Sequence, residues 1–419
     1  MKTRKISFCH WALLVLYSLL WVIALPILLI VRRETPIDSG RLGFGMPRGP
    51  FRVWIQAASV GEARLAAALV RELNRKGIRN ILVTTNTRQG MDFLDSEIKE
   101  DAQKAYFPFD NMCIMAMALC RARPEKLVLL ETEIWPSLLN ACRRKNVPVV
   151  LGNGRLSLKS FCRYYPLRRF LASIGPDRIA AVSERDRERF SSLFPSAQTS
   201  VMSNIKFDLL VDKEPMAYVQ NPLSSFFKPK HALIALGSVR REEEPQIARV
   251  IQKLYSARPK TTIALFPRHM TRIRPWQKIL DSEGVPYTLR SSLESGTAPA
   301  GVILWDSFGE LEAAYAMARS VFVGGSLMPC GGQNFLEALG QGVVPCVGPF
   351  WDNFTWVGRE IVHAGLLIQV RDKNELSSKL QQPQSMSREQ VEKKFKEYLQ
   401  SRRGGTQELA GIVARHGSL

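Results

Sequence analysis

The residues Ala57-Ala58-Ser59-Val60-Gly61-Glu62 read as the end of a strand, a tight turn and the start of a helix. Gly61 permits close backbone approach there, and a carboxylate such as Glu62 at a helix start can take a proton from a hydroxyl. The same spacing, Ser59-x-x-Glu62, is a capping box, in which the carboxylate only satisfies a backbone N–H. Glu131-Thr132-Glu133-Ile134-Trp135-Pro136 follows the apolar run Leu127–Leu130. Two carboxylates at such a strand end suit acid/base or substrate-orienting work, or else they are the acidic first turn of a helix with Pro136 near its first position.

Further along, Pro267-Arg268-His269 closes the apolar run Thr261–Phe266 and offers two cationic or donor groups where a phosphate would lie, with ordinary surface charge as the alternative. Gly324-Gly325-Ser326 ends another such run. The turn Cys330-Gly331-Gly332-Gln333-Asn334-Phe335-Leu336-Glu337 then leads into a helix, a pattern that can cradle an anion with backbone N–H groups or serve only as a turn. Glu337, one turn in, is placed to hold a ribose diol. No G-x-x-x-x-G-K-[ST], H-E-x-x-H or G-x-G-x-x-G with an acidic partner is present, which argues against P-loop, zincin and dinucleotide-binding chemistry. The 5 histidines are scattered, and the 7 cysteines include no C-x-x-C pair, so neither a metal cluster nor a disulfide framework is expected.

These groups need elements to hold them. Short β-branched runs alternate with helical patterns, which predicts α/β units around parallel sheets. In the first half the expected strands are Arg52–Ala57, Asn80–Thr85, Lys126–Leu130, Pro148–Leu151 and Arg178–Val182. Leu65, Leu69, Val70 and Leu73 fall at helical spacing between the first two, and Gly77 ends that helix. A second series starts near His231 and continues through Thr261–Phe266, Gly301–Trp305, Ser320–Gly325 and Val343–Gly348. The Pro-, Ser- and Lys-rich stretch Lys213–Lys230 reads as a linker, and Ser387–Arg402 as a charged helix. The expected layout is an N-terminal segment (1–35), an α/β domain (36–212), the linker (213–230), a second α/β domain (231–385) and a helical C-terminal segment (386–419). Two doubly wound halves bind ligands at the C-terminal ends of their strands, in a cleft between them.

At 419 residues the chain has material for two cores, and 58 Lys and Arg against 38 Asp and Glu leave it at +20, a field that draws anionic lipid, nucleic acid or phosphorylated substrates. From Trp11 to Val31 no residue is charged, a run which as a helix would reach about 30 Å, the thickness of a bilayer core. Lys2, Arg4 and Lys5 precede it, and Arg32-Arg33-Glu34 rather than a small-residue cleavage site follows, so an uncleaved membrane anchor is expected. Pro26 and the rings of Trp11, Tyr17 and Trp21 also suit a helix lying partly in the interface.

Taken in order, the motifs Ala57–Glu62, TTNTRQG (Thr84–Gly90), YFPFD (Tyr106–Asp110), ETEIWP (Glu131–Pro136), NGRLS (Asn153–Ser157), SNIKFD (Ser203–Asp208), FPRH (Phe266–His269), FGELEAAY (Phe308–Tyr315) and FVGGSLMPCGGQNFLEAL (Phe322–Leu339) resemble the bacterial 3-deoxy-D-manno-octulosonic acid (Kdo) transferases. The resemblance runs along nearly the whole chain. It implies a GT-B glycosyltransferase, with two Rossmann-like domains and an N-terminal membrane-anchor helix. Such an enzyme passes Kdo from CMP-Kdo to a lipid A precursor, with no metal or other cofactor, no nucleic-acid partner, and its catalytic body on the cytoplasmic face of the inner membrane.

By the same resemblance Glu62 is the catalytic base, with Ser59 and Gly61 on the acceptor side, and Glu131 and Lys206 complete the active-site set. Arg268, His269, Gly309, Glu310, Ser326, Asn334 and Glu337 are implied to hold CMP-Kdo. The basic-aromatic stretch Phe161–Phe170, with Arg163 and Arg168, suits a phosphorylated glycolipid at a membrane surface or is an ordinary amphipathic surface helix. The sequence departs from the family where histidine is expected, at Gln56, Arg240 and Gln333, and Ser203-Asn204 stands where T-G-N is usual. Two other readings share these residues: a GT-B transferase using another nucleotide sugar on a lipid, and a membrane-anchored lipid-binding paralogue without turnover.

Overall fold

The computed structural model describes residues 8–31, 39–211, 214–228, 231–296 and 300–415, with the side chains of the first helix described up to Ala24. The chain forms two compact units, Met1–Leu209 together with Arg402–Leu419, and Leu210–Ser401.

The first unit is built on seven parallel strands: β1 (Val53–Ala57), β2 (Ile81–Thr85), β3 (Gln103–Tyr106), β4 (Leu127–Leu130), β5 (Val149–Gly154), β6 (Arg178–Ala181) and β7 (Gln198–Val201). Their order across the sheet is β3-β2-β1-β4-β5-β6-β7, so the chain reverses direction of growth between β1 and β4, where such sheets bind ligands. Successive residues alternate between the faces: Trp54, Leu127, Leu129 and Leu151 enter one core, and Val53, Ile55, Val128 and Val150 the other. Both faces are covered, which is why these strands read as continuous apolar runs. The helix Val60–Arg75 buries Leu65, Leu69, Val70 and Leu73 as its spacing predicts, and Gly77, at φ +78°, ends it.

The second unit repeats the design with β8 (Leu233–Val239), β9 (Thr262–Pro267), β10 (Tyr287–Leu289), β11 (Gly301–Leu304), β12 (Ser320–Val323), β13 (Pro345–Val347) and β14 (Ile368–Gln369), in the order β10-β11-β9-β8-β12-β13-β14. Every expected strand is present. The four that the sequence pattern misses, β3, β7, β10 and β14, are the outermost strands of the two sheets. Each is partly solvent-exposed, so it lacks the apolar run that marks its neighbours.

Two expected segments differ in the structure. Residues 214–228 are not a free linker: Leu223 and Phe227 are buried, and the Asn221 amide donates to the carbonyl of Ala313 at 2.9 Å, fixing the stretch to the second unit. The C-terminal segment divides at Ser401: Arg388–Gln400 belongs to the second unit, whereas Gly405–Arg415 returns to the first. That last helix buries Leu409, Ala410, Ile412 and Val413 in the core beneath Val60–Arg75, and the Lys126 ammonium donates to the carbonyl of Val413 at 2.9 Å.

The N-terminal helix runs from Phe8 to Val31. Leu14 is buried in the first unit's core, the Tyr17 hydroxyl donates to Asp110 at 3.0 Å, and Trp21 packs on Phe109. Trp11, Leu16, Leu19, Leu20, Val22 and Ile23 are exposed. Among the described residues no helix is long and apolar enough to cross a membrane, so the expected span is not supported; the described part of this helix is docked along one stripe and open along the other. The basic flanks Lys2, Arg4, Lys5, Arg32 and Arg33 lie outside the described residues.

Candidate active site

In the first unit the candidate residues gather at the C-terminal edge of the sheet. Ser59 caps the helix after β1, its hydroxyl accepting the Glu62 N–H at 3.3 Å. Glu62 returns the contact: Oε2 accepts the N–H of Ala58 at 2.5 Å and of Ser59 at 3.1 Å. The capping box is therefore real, and it fixes Glu62 through one oxygen, while Oε1 has no hydrogen-bond partner among the described residues. A Cβ at Gly61 would meet nothing nearer than the Ser59 hydroxyl at 3.7 Å, so this glycine leaves the approach to the turn open.

Glu131 follows β4 with φ +57°, a left-handed conformation that costs a non-glycine residue of order 1 kcal/mol or more. Its N–H is held by the Gly152 carbonyl at 3.0 Å, and its carboxylate meets the Lys206 ammonium at 2.5 Å. Lys206 is presented by the short helix Ile205–Val211, whose start is tied down twice: Asn153 accepts the Ile205 N–H at 2.9 Å, and Asn204 accepts the Lys206 N–H at 3.0 Å. Glu133, two residues after Glu131, takes the indole N–H of Trp135.

The electrostatics follow from this crowding. Partial burial, then the charges of Glu133 and Glu131, push the Glu62 carboxyl up to about 7, against the pull of its two backbone donors. Burial likewise raises Glu133, opposed by the hydrogen bond from Trp135. A carboxyl that titrates near neutrality with one oxygen held and the other open is suited to general base catalysis.

In the second unit the expected donor residues also lie at strand ends, in separate roles. Arg268 and His269 follow β9 and are exposed. Gly309, at φ +87° with open space around it, sits in the turn after β11 beside Phe308, which is 81% exposed. Glu310 is a saturated hub: it accepts from Arg290 at 2.8 and 3.0 Å, from the Trp305 indole at 2.8 Å and from Ser307 at 2.9 Å. Asn334 donates to Glu337 at 2.9 Å.

The turn Gly324-Gly325-Ser326, which leads toward the expected anion cradle at Cys330–Glu337, has its N–H groups taken from within. Glu243, fully buried and not singled out by the sequence, accepts the N–H groups of Gly325 at 2.5 Å, Ser326 at 2.8 Å and Leu327 at 2.8 Å. Ser326 is buried as well, its hydroxyl donating to the Val323 carbonyl at 2.7 Å and accepting the Gly348 N–H at 2.9 Å. The N–H groups of Gly332 and Gln333 bond to the carbonyls of Gly325 and Gly324. Those amides hold the loop's own shape.

Arg163 and Arg168 belong to a third feature of the first unit. Arg163 is exposed on the helix Leu158–Tyr164, and the Arg168 guanidinium lies 4.3 Å from the centre of the Tyr165 ring, beside exposed Leu158 and Leu167. His10 of the N-terminal helix packs against Phe170 at the end of this stretch.

Two parallel sheets with chemistry at the strand ends define a GT-B-like architecture. A glycosyltransferase structure from Rickettsia africae ESF-5 shares the fold, with a TM-score of 0.58 over 88% of this chain and 100% of that one at 10% identity. The family follows from sequence. A 3-deoxy-D-manno-octulosonic acid transferase of Bordetella pertussis is 32% identical over 349 residues, 80% of each chain, and one of Haemophilus influenzae is 28% identical over 372 residues, 87% of each. Residues 38–209 match the family model described as 3-Deoxy-D-manno-octulosonic-acid transferase (kdotransferase). The chain belongs to the Kdo transferase family and is a glycosyltransferase.

Proposed function

We propose that this enzyme transfers Kdo from CMP-Kdo to a lipid A precursor in lipopolysaccharide biosynthesis, by direct displacement with Glu62 as the general base. The observation that carries the reading is Glu62 itself: one carboxylate oxygen is pinned by two backbone N–H groups, the other is open, and its carboxyl is raised to about 7. In the reaction the acceptor hydroxyl oxygen bonds to the anomeric carbon of Kdo and its proton passes to Oε1 of Glu62. The bond from the anomeric carbon to the phosphate oxygen breaks, and CMP leaves with the electron pair. Inversion at that carbon follows from a single displacement.

Lys206, set by its ion pair with Glu131, supplies positive charge toward the anionic sugar or the departing phosphate. In the second unit Arg268, His269, the turn at Gly309-Glu310, Asn334 and Glu337 hold CMP-Kdo, while Ser326 contributes through the shape of its loop. No metal or further cofactor takes part, so transfer proceeds undiminished in EDTA. The enzyme works at the cytoplasmic face of the inner membrane. The open apolar face of the N-terminal helix and the Arg163–Arg168 stretch beside it support that placement, because aromatic and basic side chains on one surface suit a lipid interface. Incubation with CMP-Kdo and tetraacyl lipid A precursor tests the reading: a Kdo-bearing lipid is expected from wild type, and thermal stabilisation by UDP or GDP in preference to CMP would instead favour another donor.

A further inference from the structure

The loop Glu131–Trp135 carries the Glu131 carboxylate to Lys206, and its two ends are held differently. At its start the Glu131 N–H bonds to the Gly152 carbonyl of β5 at 3.0 Å. At its end it enters the helix Pro136–Arg144, whose cap residue Trp135 makes no side-chain capping bond. A helix start leaves its first N–H groups without partners, and a proline there removes only one of them. Asp110, fully buried and 27 residues before Ser137, supplies the cap: Oδ2 accepts the Ser137 N–H at 3.1 Å and Oδ1 the Leu138 N–H at 2.8 Å. Phe107, just before Asp110 in the chain, packs on the Trp135 ring with centres 4.9 Å apart.

The same carboxylate faces the N-terminal helix. The Tyr17 hydroxyl donates to Oδ2 of Asp110 at 3.0 Å, so one oxygen takes a donor from each of two helices. Asn111 repeats the arrangement beside it: its side-chain oxygen accepts the Cys113 N–H at 2.9 Å and caps the helix Met112–Ala122, while its amide donates to the Ser18 carbonyl at 3.2 Å. The Ser18 hydroxyl accepts the Met112 N–H at 3.3 Å. Leu14, Tyr17, Ser18 and Trp21 fall at helical spacing on this docked side, and Leu16, Leu20 and Ile23 on the open one. Lipid contact needs only the open side; the polar bonds of the docked side act on the body of the unit. Asp110-Asn111 thus ties three helices together, one of them continuing the loop that holds Glu131.

We propose that Asp110 is a positioning residue for the Glu131–Lys206 pair, and that the N-terminal helix, through Tyr17, braces the loop that carries it. Asp110 fixes the start of Pro136–Arg144 and with it the far end of the loop, and Tyr17 is one of the three donors that hold the Asp110 carboxylate in place. The helix therefore sets the rate of transfer, apart from any part it takes in lipid contact. This rests on the reading of Glu131 and Lys206 as active-site residues.

The test measures kcat and KM in detergent, with CMP-Kdo and the lipid acceptor, for the full-length enzyme and its variants. Tyr17→Phe removes one donor and is expected to lower kcat about threefold, with KM for CMP-Kdo little changed, because small displacements at a reacting centre are costly. Asp110→Asn keeps the volume but strands a helix N–H, and lowers kcat about tenfold or more. In a Lys206→Met background both losses shrink to less than about twofold, because the pair they act through is gone. Leu16→Ser combined with Leu20→Ser, on the open side, is expected to keep kcat in detergent while weakening binding to vesicles of anionic phospholipid. Wild-type kcat in both Tyr17→Phe and Asp110→Asn overturns the proposal. So do losses undiminished in the Lys206→Met background, which would mark general destabilisation, or an equal loss from the open-side pair. If Asp110→Asn does not fold, Tyr17→Phe decides alone. A Lys206→Met enzyme with wild-type kcat would instead sink the reading of the pair itself.

Discussion

The Lys206 ammonium lies 2.5 Å from the Glu131 carboxylate, joining a strand end to a short helix 75 residues further along the chain. Both groups are only partly exposed, and Glu131 is held in a left-handed backbone conformation to make the contact. Breaking one side of such a pair strands the other charge. Lys206→Met is therefore expected to lower kcat at least about a hundredfold, with Lys206→Arg recovering only a part because a planar fork does not reproduce a point charge. Steady-state kinetics of the two variants check this; equal activity in all three would remove Lys206 from the site.

Glu62 should leave a mark on both activity and stability. Its carboxyl is raised to about 7 by burial and by Glu133 and Glu131, so kcat falls as pH drops through neutrality and the base is protonated. A raised carboxyl binds protons more tightly folded than unfolded, so its charging costs stability as pH rises from the ordinary carboxylate range through about 7. Glu62→Gln removes that cost and keeps an oxygen for the two backbone donors. Its Tm is expected to exceed that of wild type by a few degrees at pH 8 and to match it near pH 4.5, as scanning calorimetry would register.

Glu243 is predicted to be the residue on which the donor loop depends. Three consecutive loop N–H groups and that of Arg240 converge on its carboxylate. Glu243→Ala leaves them buried and unpaired, at about 3 kcal/mol or more. Thermal unfolding should show the loss. A raised KM for CMP-Kdo with little change in KM for the lipid acceptor is expected in the milder Glu243→Gln.

The final helix is a structural part of the first unit. Leu409 fills the space over Gly152, where an added Cβ would fall 2.5 Å from its methyl carbons. Leu409→Ala is expected to cost about 3 kcal/mol, and truncation after Ser401 more, by uncovering the core around Leu409, Ile412 and Val413. Denaturant melts of the point variant measure it; an unchanged midpoint would contradict the packing.

What was legible in the sequence, and what was not, has a physical pattern. The inner strands announce themselves because both faces are buried, whereas β3, β7, β10 and β14 stand at sheet edges and are partly exposed along their length. Ser59-x-x-Glu62 was readable either as a cap or as a base; the structure shows the cap, made through Oε2, and leaves Oε1 without a hydrogen-bond partner among the described residues. Glu131 and Lys206 were each named, but their contact is long-range and no local pattern carries it. Glu243 was invisible for the opposite reason: within Arg240-Arg241-Glu242-Glu243-Glu244 it looks like surface charge, and only the fold brings the amides of Gly325–Leu327 onto it. The buried anchors Leu223 and Phe227 hid in a stretch whose prolines, serines and lysines suggest a linker.

The central claim is Kdo transfer with Glu62 as the base, and the most direct measurement is the mass of the lipid product formed from CMP-Kdo and a defined tetraacyl lipid A precursor by wild type and by Glu62→Gln. Wild type is expected to add Kdo and release CMP, and the folded variant to add none on the same timescale. An acceptor that wild type leaves unmodified, or a variant as active as wild type, would contradict the account.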